Sequence, residues 1–159
     1  MDTAFILETL KLLISGVPLT LQLAFYSIAA GAVLAVLLAL MRLSGNRVLD
    51  YTARSYVFVF RGTPLLVQIF LIYYGLGQFP EMRQSLLWPF LREPYWCAPL
   101  ALTLNTAAYS SEIIRGGILS VPFGQVEAAR ACGMSRSLIF RRIIVPQGLI
   151  VALPAYGNE

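Results

Sequence analysis

The sequence predicts an all-α integral membrane protein, a bundle of several spanning helices. Of its 159 residues, 58% are hydrophobic and 13% are charged, and the mean hydropathy is +0.72. A soluble domain carries about 25% charged residues, so this chain could not cover its surface in water. Four apolar stretches, each close to the roughly 20 residues that a spanning helix needs, alternate with polar connections.

Composition also excludes several classes of function. The chain has no histidine, so it lacks the commonest general base and metal ligand, and we expect no metal site. The net charge of +4 comes from arginines scattered between apolar stretches, which argues against nucleic-acid binding. Cys97 and Cys132 lie far apart and predict no disulfide framework. The sole lysine, Lys11, lies outside any phosphate-binding loop pattern, so this chain is not expected to hydrolyse ATP.

The first two predicted spans cover residues 17–41 and 56–76. Residues 12–41 carry no charge, and Pro18 is expected in the first turn of the helix, where a missing N–H costs little. A polar connection over 42–54 leads to the second span, which "RGTP" interrupts at residues 61–64.

The remaining chain predicts two further spans in the same single transmembrane domain, residues 1–159. Residues 77–95 contain three prolines and are expected to form a loop without helices. The third span covers 97–118 and the fourth covers 139–156, with a basic connection over 119–138 between them.

The distribution of basic residues predicts the orientation of the chain. If the N-terminus lies outside, eight arginines face the cytoplasm, while only Lys11, Arg83 and Arg92 face outward. Arg61 lies inside the second span and can extend its side chain toward the cytoplasm. The connections 42–54 and 119–138 are therefore predicted to be cytoplasmic.

The connection "GQVEAARACGMSRSLIFRRIIVP" predicts a short helix between two turns. Ser120 and Pro122 form a helix-start signal for a helix over 125–132. Gly133 follows it at a position that favours a positive φ, and Ser135 can cap the next helix.

The predicted helix presents small side chains beside charged ones. Ala128 and Ala129 permit a partner to approach closely, and Glu127 and Arg130 would fix its register. The alternative is an amphipathic connector that lies on the lipid surface, and these residues alone leave both interpretations open.

The spacing of this connection resembles the EAA signature of the permease subunits of bacterial ABC importers. Val145 stands where that family has leucine. The stretches "FRGTPLLVQIFLIYYG", "LTLNTAAYSSEIIRGGILSVPFGQVEAARACG" and "ALPAYGNE" are similar to the polar amino acid branch, which includes permeases for histidine, lysine, arginine, ornithine and opines. The resemblance covers nearly the whole chain, although the first 45 residues match only in hydropathy.

The resemblance implies the helical bundle of a type I ABC importer permease. The family has at least five spans, so the four present here lead us to expect a C-terminally truncated chain. The implied function is translocation of polar, cationic amino acids across the bacterial inner membrane by alternating access. The implied partners are an ATPase subunit that binds ATP and Mg²⁺, a second homologous permease subunit, and a periplasmic or lipid-anchored binding protein. This chain itself would bind no cofactor.

In that family the helix of the connection docks on the ATPase. The resemblance therefore implies coupling roles for Glu127, Ala128, Ala129, Arg130, Gly133, Ile143 and Pro146.

Polar residues within the spans are candidates for the substrate pathway, because polar groups at membrane depth are costly. Asn105, Tyr109 and Glu112 share one face of the third span. Pro64 breaks the second span, and transporters place substrate sites at such breaks. The predicted pathway residues are Thr63, Gln68, Asn105, Tyr109, Glu112 and Glu159.

Each of these candidates also has a purely structural interpretation. Glu112 can pair with Arg115, Asn105 can bond another helix, Thr63-Pro64 can be a packing kink, and Glu159 can cap a helix. Two other functions remain open at this point: a membrane anchor without its own pathway, and an intramembrane enzyme that uses Glu112.

Overall fold

A computed structural model describes residues 3–158, and all the regular structure in this range is helical. Two π-helical segments, Leu71–Gly75 and Phe140–Ile144, and a 3₁₀ turn, Leu76–Gln78, interrupt the α-helices. The α-helices are α1 (Thr3–Leu43), α2 (Arg47–Gly62), α3 (Leu65–Phe70), α4 (Pro80–Arg83), α5 (Trp88–Leu91), α6 (Pro94–Leu119), α7 (Phe123–Ala131), α8 (Arg136–Ile139) and α9 (Val145–Gly157).

Helix α1 is longer than the sequence pattern predicted. It runs for 41 residues without a break, which at 1.5 Å per residue is about 60 Å. The prediction that Pro18 lies in the first turn is wrong, because Pro18 lies inside the helix. A single proline removes one backbone hydrogen bond, and the apolar residues on both sides continue the helix past it.

The polar connection predicted over 42–54 is largely helical. Only residues 44–46 are non-helical, and α2 begins directly afterwards at Arg47. The side chain of Asn46 caps α2 by accepting a hydrogen bond of 2.9 Å from the Val48 N–H. Asp50 and Arg54, one turn apart, form a 2.8 Å ion pair that supports the first turns of this helix.

The second predicted span is broken as expected at Thr63-Pro64. Helix α2 and the segment Leu65–Gln78 meet at a bend of 105°. The following stretch is less irregular than predicted, because α4 and α5 form within residues 77–95. Both short helices carry a proline in their first turn, where its fixed φ favours a helix start.

Two helices in the described part of the chain are long and apolar enough to cross a membrane, Phe5–Leu43 and Arg136–Gly157. The bent pair of α2 and Leu65–Gln78 would bring the number to three. Helix α6 covers the predicted third span and has 26 residues, but it is not among them. The number of four spans remains a prediction.

Helix α6 is the centre of the bundle, and small residues bring its neighbours close. A Cβ added to Gly31 of α1 would lie 3.3 Å from the side chain of Thr106. A Cβ added to Gly117 would lie 2.5 Å from the carbonyl oxygen of Gly148 in α9. Helices in membranes pack through such small residues, because they lack a hydrophobic driving force between them.

The predicted fourth span is one continuous helix, Arg136–Gly157, in which the turn over Phe140–Ile144 is π-helical and therefore wider than an α-helical turn. The N–H of Val145 bonds the carbonyl oxygen of Phe140, five residues back, and this bond closes the π-helical segment. The next residue, Pro146, has no N–H to offer to Arg142. Widening the turn directly before the proline is a common response to that missing bond.

Candidate functional site

Helix α7 forms where the sequence predicted a short helix over 125–132, but it begins two residues earlier. It spans Phe123–Ala131, and its N-cap residue is Pro122, without a side-chain cap. The prediction that Ser120 caps this helix is wrong. The Ser120 hydroxyl donates a 2.7 Å hydrogen bond to the Gly117 carbonyl at the end of α6 instead.

The turn after α7 has the predicted geometry. Gly133 adopts a φ of +78°, its N–H bonds the Arg130 carbonyl at 2.9 Å, and the Met134 N–H bonds the Ala129 carbonyl at 3.1 Å. These two bonds define a Schellman motif, which requires a left-handed residue at the position of Gly133. Ser135 then caps α8, as predicted, by accepting from the Leu138 N–H at 3.4 Å.

The exposed face of α7 carries the charged residues of the motif. Glu127, Ala128 and Arg130 are exposed, whereas Ala129 is buried. Within residues 3–158, neither Glu127 nor Arg130 forms an ion pair. The helix thus offers an uncompensated carboxylate and guanidinium to a partner surface.

Helix α7 is linked to α9 by a pair of side chains that the sequence did not single out. The Gln147 amide donates a 2.6 Å hydrogen bond to the Gln125 side-chain oxygen. Ile143 is half-buried in the π-helical segment, and Pro146 is exposed in the first turn of α9. The motif residues therefore lie on α7, on the turn after it, and on the π-helical segment and α9, and a direct hydrogen bond joins α7 to α9.

The break between α2 and α3 is filled by Gln68, a predicted pathway residue. Pro64 has no N–H for the Phe60 carbonyl, and the Gln68 amide nitrogen supplies a donor at 2.8 Å. The same nitrogen lies 3.0 Å from the Thr63 carbonyl and 2.8 Å from the Thr63 hydroxyl oxygen. The Gln68 side chain is buried, with 6% of its surface exposed.

Asn105 joins the same network from α6. Its amide nitrogen donates to the Gln68 side-chain oxygen at 3.2 Å and lies 3.4 Å from the Phe60 carbonyl oxygen. The interhelical bond considered for Asn105 is therefore present. The structure brings three of the predicted pathway residues, Thr63, Gln68 and Asn105, into one hydrogen-bonded group.

Glu112 lies in a second group, an ion-pair network between three helices. Its Oε2 accepts from Arg115 at 2.8 and 3.1 Å, which is the pairing that the sequence allowed. Its Oε1 accepts from Arg42 at the end of α1, a contact between residues 70 positions apart. Arg42 also bonds Asp50 at 2.9 Å. Arg42 and Asp50 were not predicted as site residues.

Tyr109 and Glu112 line an open cleft between α2 and α6, with a volume of about 430 Å³. The guanidinium carbon of Arg61 lies 5.0 Å from the centre of the Tyr109 ring. Arg61 directly precedes Gly62 and Thr63, so the cleft reaches the edge of the hydrogen-bonded group at the break. Glu159, the last predicted pathway residue, lies outside the described residues.

Comparison with known proteins yields close relatives among transport proteins. The chain is 66% identical over 158 residues to the octopine transport system permease protein of Rhizobium meliloti. The matched region covers 99% of this chain and 64% of that protein. The chain is also 45% identical over 146 residues to the histidine/lysine/arginine/ornithine transport system permease protein of Salmonella typhimurium. That match covers 91% of this chain and 62% of the relative. The chain thus spans less than two thirds of the length of these relatives.

The fold has a solved counterpart. The chain matches a crystal structure of an amino acid ABC transporter with histidines, with a TM-score of 0.84 and 39% sequence identity. The match covers 99% of this chain and 70% of the chain in that structure. A family model described as "Binding-protein-dependent transport system inner membrane component" matches residues 12–159. The chain therefore belongs to the family of inner membrane components of binding-protein-dependent transport systems.

Proposed function

We propose that the chain is the translocating subunit of an ATP-driven importer in the bacterial inner membrane. Its substrates are polar amino acids, in particular cationic amino acids or opines. A separate ATPase subunit supplies the energy, a binding protein delivers the substrate from outside, and a second permease subunit completes the pathway. The relatives named as permeases for octopine and for histidine, lysine, arginine and ornithine support this substrate class.

The observation that carries the proposal is the helix α7 with its Gly133 turn. It presents Glu127 and Arg130, which form no ion pair within residues 3–158, on an exposed face, which suits docking of an ATPase subunit. The Gln125–Gln147 bond connects α7 with α9, and the close approach of Gly148 to Gly117 connects α9 with α6. A displacement of α7 would thus reach the helix that carries Asn105 and Glu112.

Transport measurements test the proposal. Cells that lack this subunit but retain the ATPase and binding protein are expected to lose uptake of labelled arginine, histidine or octopine. Reintroducing the full-length permease is expected to restore it. Uptake that persists at the same rate without the subunit would contradict a translocating role and favour a membrane anchor.

A further inference from the structure

Resting on the proposed function, we infer that the cleft between α2 and α6 binds the carboxylate of the transported amino acid through Arg61. The cleft would thus recognise the carboxylate end of the substrate. Arg61, which the sequence pattern identified only as a basic residue within an apolar span, would bind an anion.

The charges in and around the cleft do not balance. Arg42, Arg54, Arg61 and Glu112 line it, and within residues 3–158 the ion pairs of these residues add Asp50 and Arg115. Four guanidinium groups thus face two carboxylates. The excess of two positive charges attracts an anion and repels the cationic end of a substrate.

Both carboxylates are already occupied by arginines. Glu112 accepts from Arg115 with one oxygen, at 2.8 Å, and from Arg42 with the other. Asp50 accepts from Arg42 at 2.9 Å with one oxygen and from Arg54 at 2.8 Å with the other. A substrate cation would have to compete with these guanidinium groups for the carboxylate oxygens.

Arg61 is different from the other three arginines of this group. No carboxylate within residues 3–158 forms an ion pair with it, and its recorded partner is the ring of Tyr109, 5.0 Å from the guanidinium carbon. A charge within a spanning segment that forms no salt bridge among residues 3–158 is costly, which marks Arg61 as a functional candidate. The aromatic contact offsets part of that cost.

The contact with Tyr109 leaves the guanidinium able to bind a ligand. The guanidinium is planar and has five N–H donors, so the donors that do not meet the ring remain free to bind a ligand. Those donors match the two oxygens of a carboxylate in a bidentate pair. A carboxylate held in this way would lie in a cleft of about 430 Å³, within the range of small-molecule sites.

The test compares two ligands that differ only in the carboxylate, arginine and argininamide. Their affinities are measured with the full-length permease complex in nanodiscs, without the binding protein, for wild type and Arg61→Gln. Wild type is expected to prefer arginine. Since one charge-assisted bidentate contact is lost, Arg61→Gln is expected to weaken arginine binding by about 10- to 100-fold and to leave argininamide nearly unchanged.

Two further variants separate this role from a structural one. Arg61→Lys keeps the positive charge without the planar pair of donors and is expected to retain part of the preference for arginine. Arg92→Gln removes an exposed arginine from a surface ion pair outside the cleft and is expected to leave both affinities unchanged.

The outcomes that overturn the inference differ from those that overturn the proposed function. A wild-type complex that imports arginine with its binding protein, yet binds arginine and argininamide equally or binds neither, contradicts the carboxylate site alone. Equal losses for both ligands in Arg61→Gln also contradict it. A wild-type complex that imports no amino acid or opine contradicts the proposed function itself.

Discussion

Pro64 has no N–H for the carbonyl oxygen of Phe60, and this missing bond explains the positions of Gln68 and Asn105. Both side-chain amides point at the break, one from α3 and one from α6. Water cannot satisfy such groups in an apolar environment, so side chains must do so. The two amides hold the bend of 105° by hydrogen bonds.

We predict that Gln68→Leu destabilises the protein. Leucine removes the 2.8 Å donor to the Phe60 carbonyl, which keeps only the 3.4 Å contact with Asn105, and it removes the acceptor of the Asn105 amide. Loss of such hydrogen bonds costs about 1–3 kcal/mol. The thermal unfolding temperature in detergent should fall accordingly. Gln78→Leu is the matched control, because Gln78 is exposed and makes only a 3.4 Å bond to the Tyr74 carbonyl. Equal melting temperatures for the two variants would refute the role assigned to Gln68.

The direction in which the chain leaves helix α7 depends on the turn that ends this helix. The Schellman bonds of Gly133 and Met134 fix the direction of the chain from α7 into α8. The direction in turn determines how Glu127 and Arg130 are presented. The turn could be predicted from the sequence, because a glycine after a short helix with a serine cap two residues later is a strong local signal. The start of α7 could not, since Ser120 turned back toward α6.

We predict that Gly133→Val disturbs coupling without unfolding the bundle. Apart from its chain neighbours, no atom of residues 3–158 lies within 4 Å of a Cβ added at Gly133. The cost therefore arises from the φ of +78°, a conformation that β-branched residues avoid. Co-purification of the ATPase subunit and substrate uptake should both fall. Gly124→Val is the control: Gly124 also has open space around its Cβ position, but its φ is not in the left-handed region. If the two variants behaved alike, the special geometry at Gly133 would be irrelevant to docking.

For the molecule as a whole, local signals predicted the helical class, the break at Pro64 and the motif, whereas long-range contacts escaped prediction. The pairing of Arg42 with Glu112 joins residues 70 positions apart, and no local pattern predicts it. Similarly, periodicity could not show that Gly117 and Gly148 meet. The polar connection over 42–54 was predicted without its helical structure, although Arg47, Asp50 and Arg54 lie in α2, which Asn46 caps.

The orientation of the whole molecule can be tested with two exposed positions, Gln84 after α4 and Ser137 in α8. Single cysteines are introduced there into a full-length protein with Cys97→Ser and Cys132→Ala. Serine at 97 retains a donor for the Leu91 carbonyl, to which the buried Cys97 thiol donates.

The excess of arginines near α8 predicts that Gln84→Cys reacts with an impermeant thiol reagent in intact cells and that Ser137→Cys does not. A permeant reagent should label both and controls for accessibility. The reverse pattern would place α7 on the outer face, where no ATPase could reach it, and would overturn the orientation and the coupling role together.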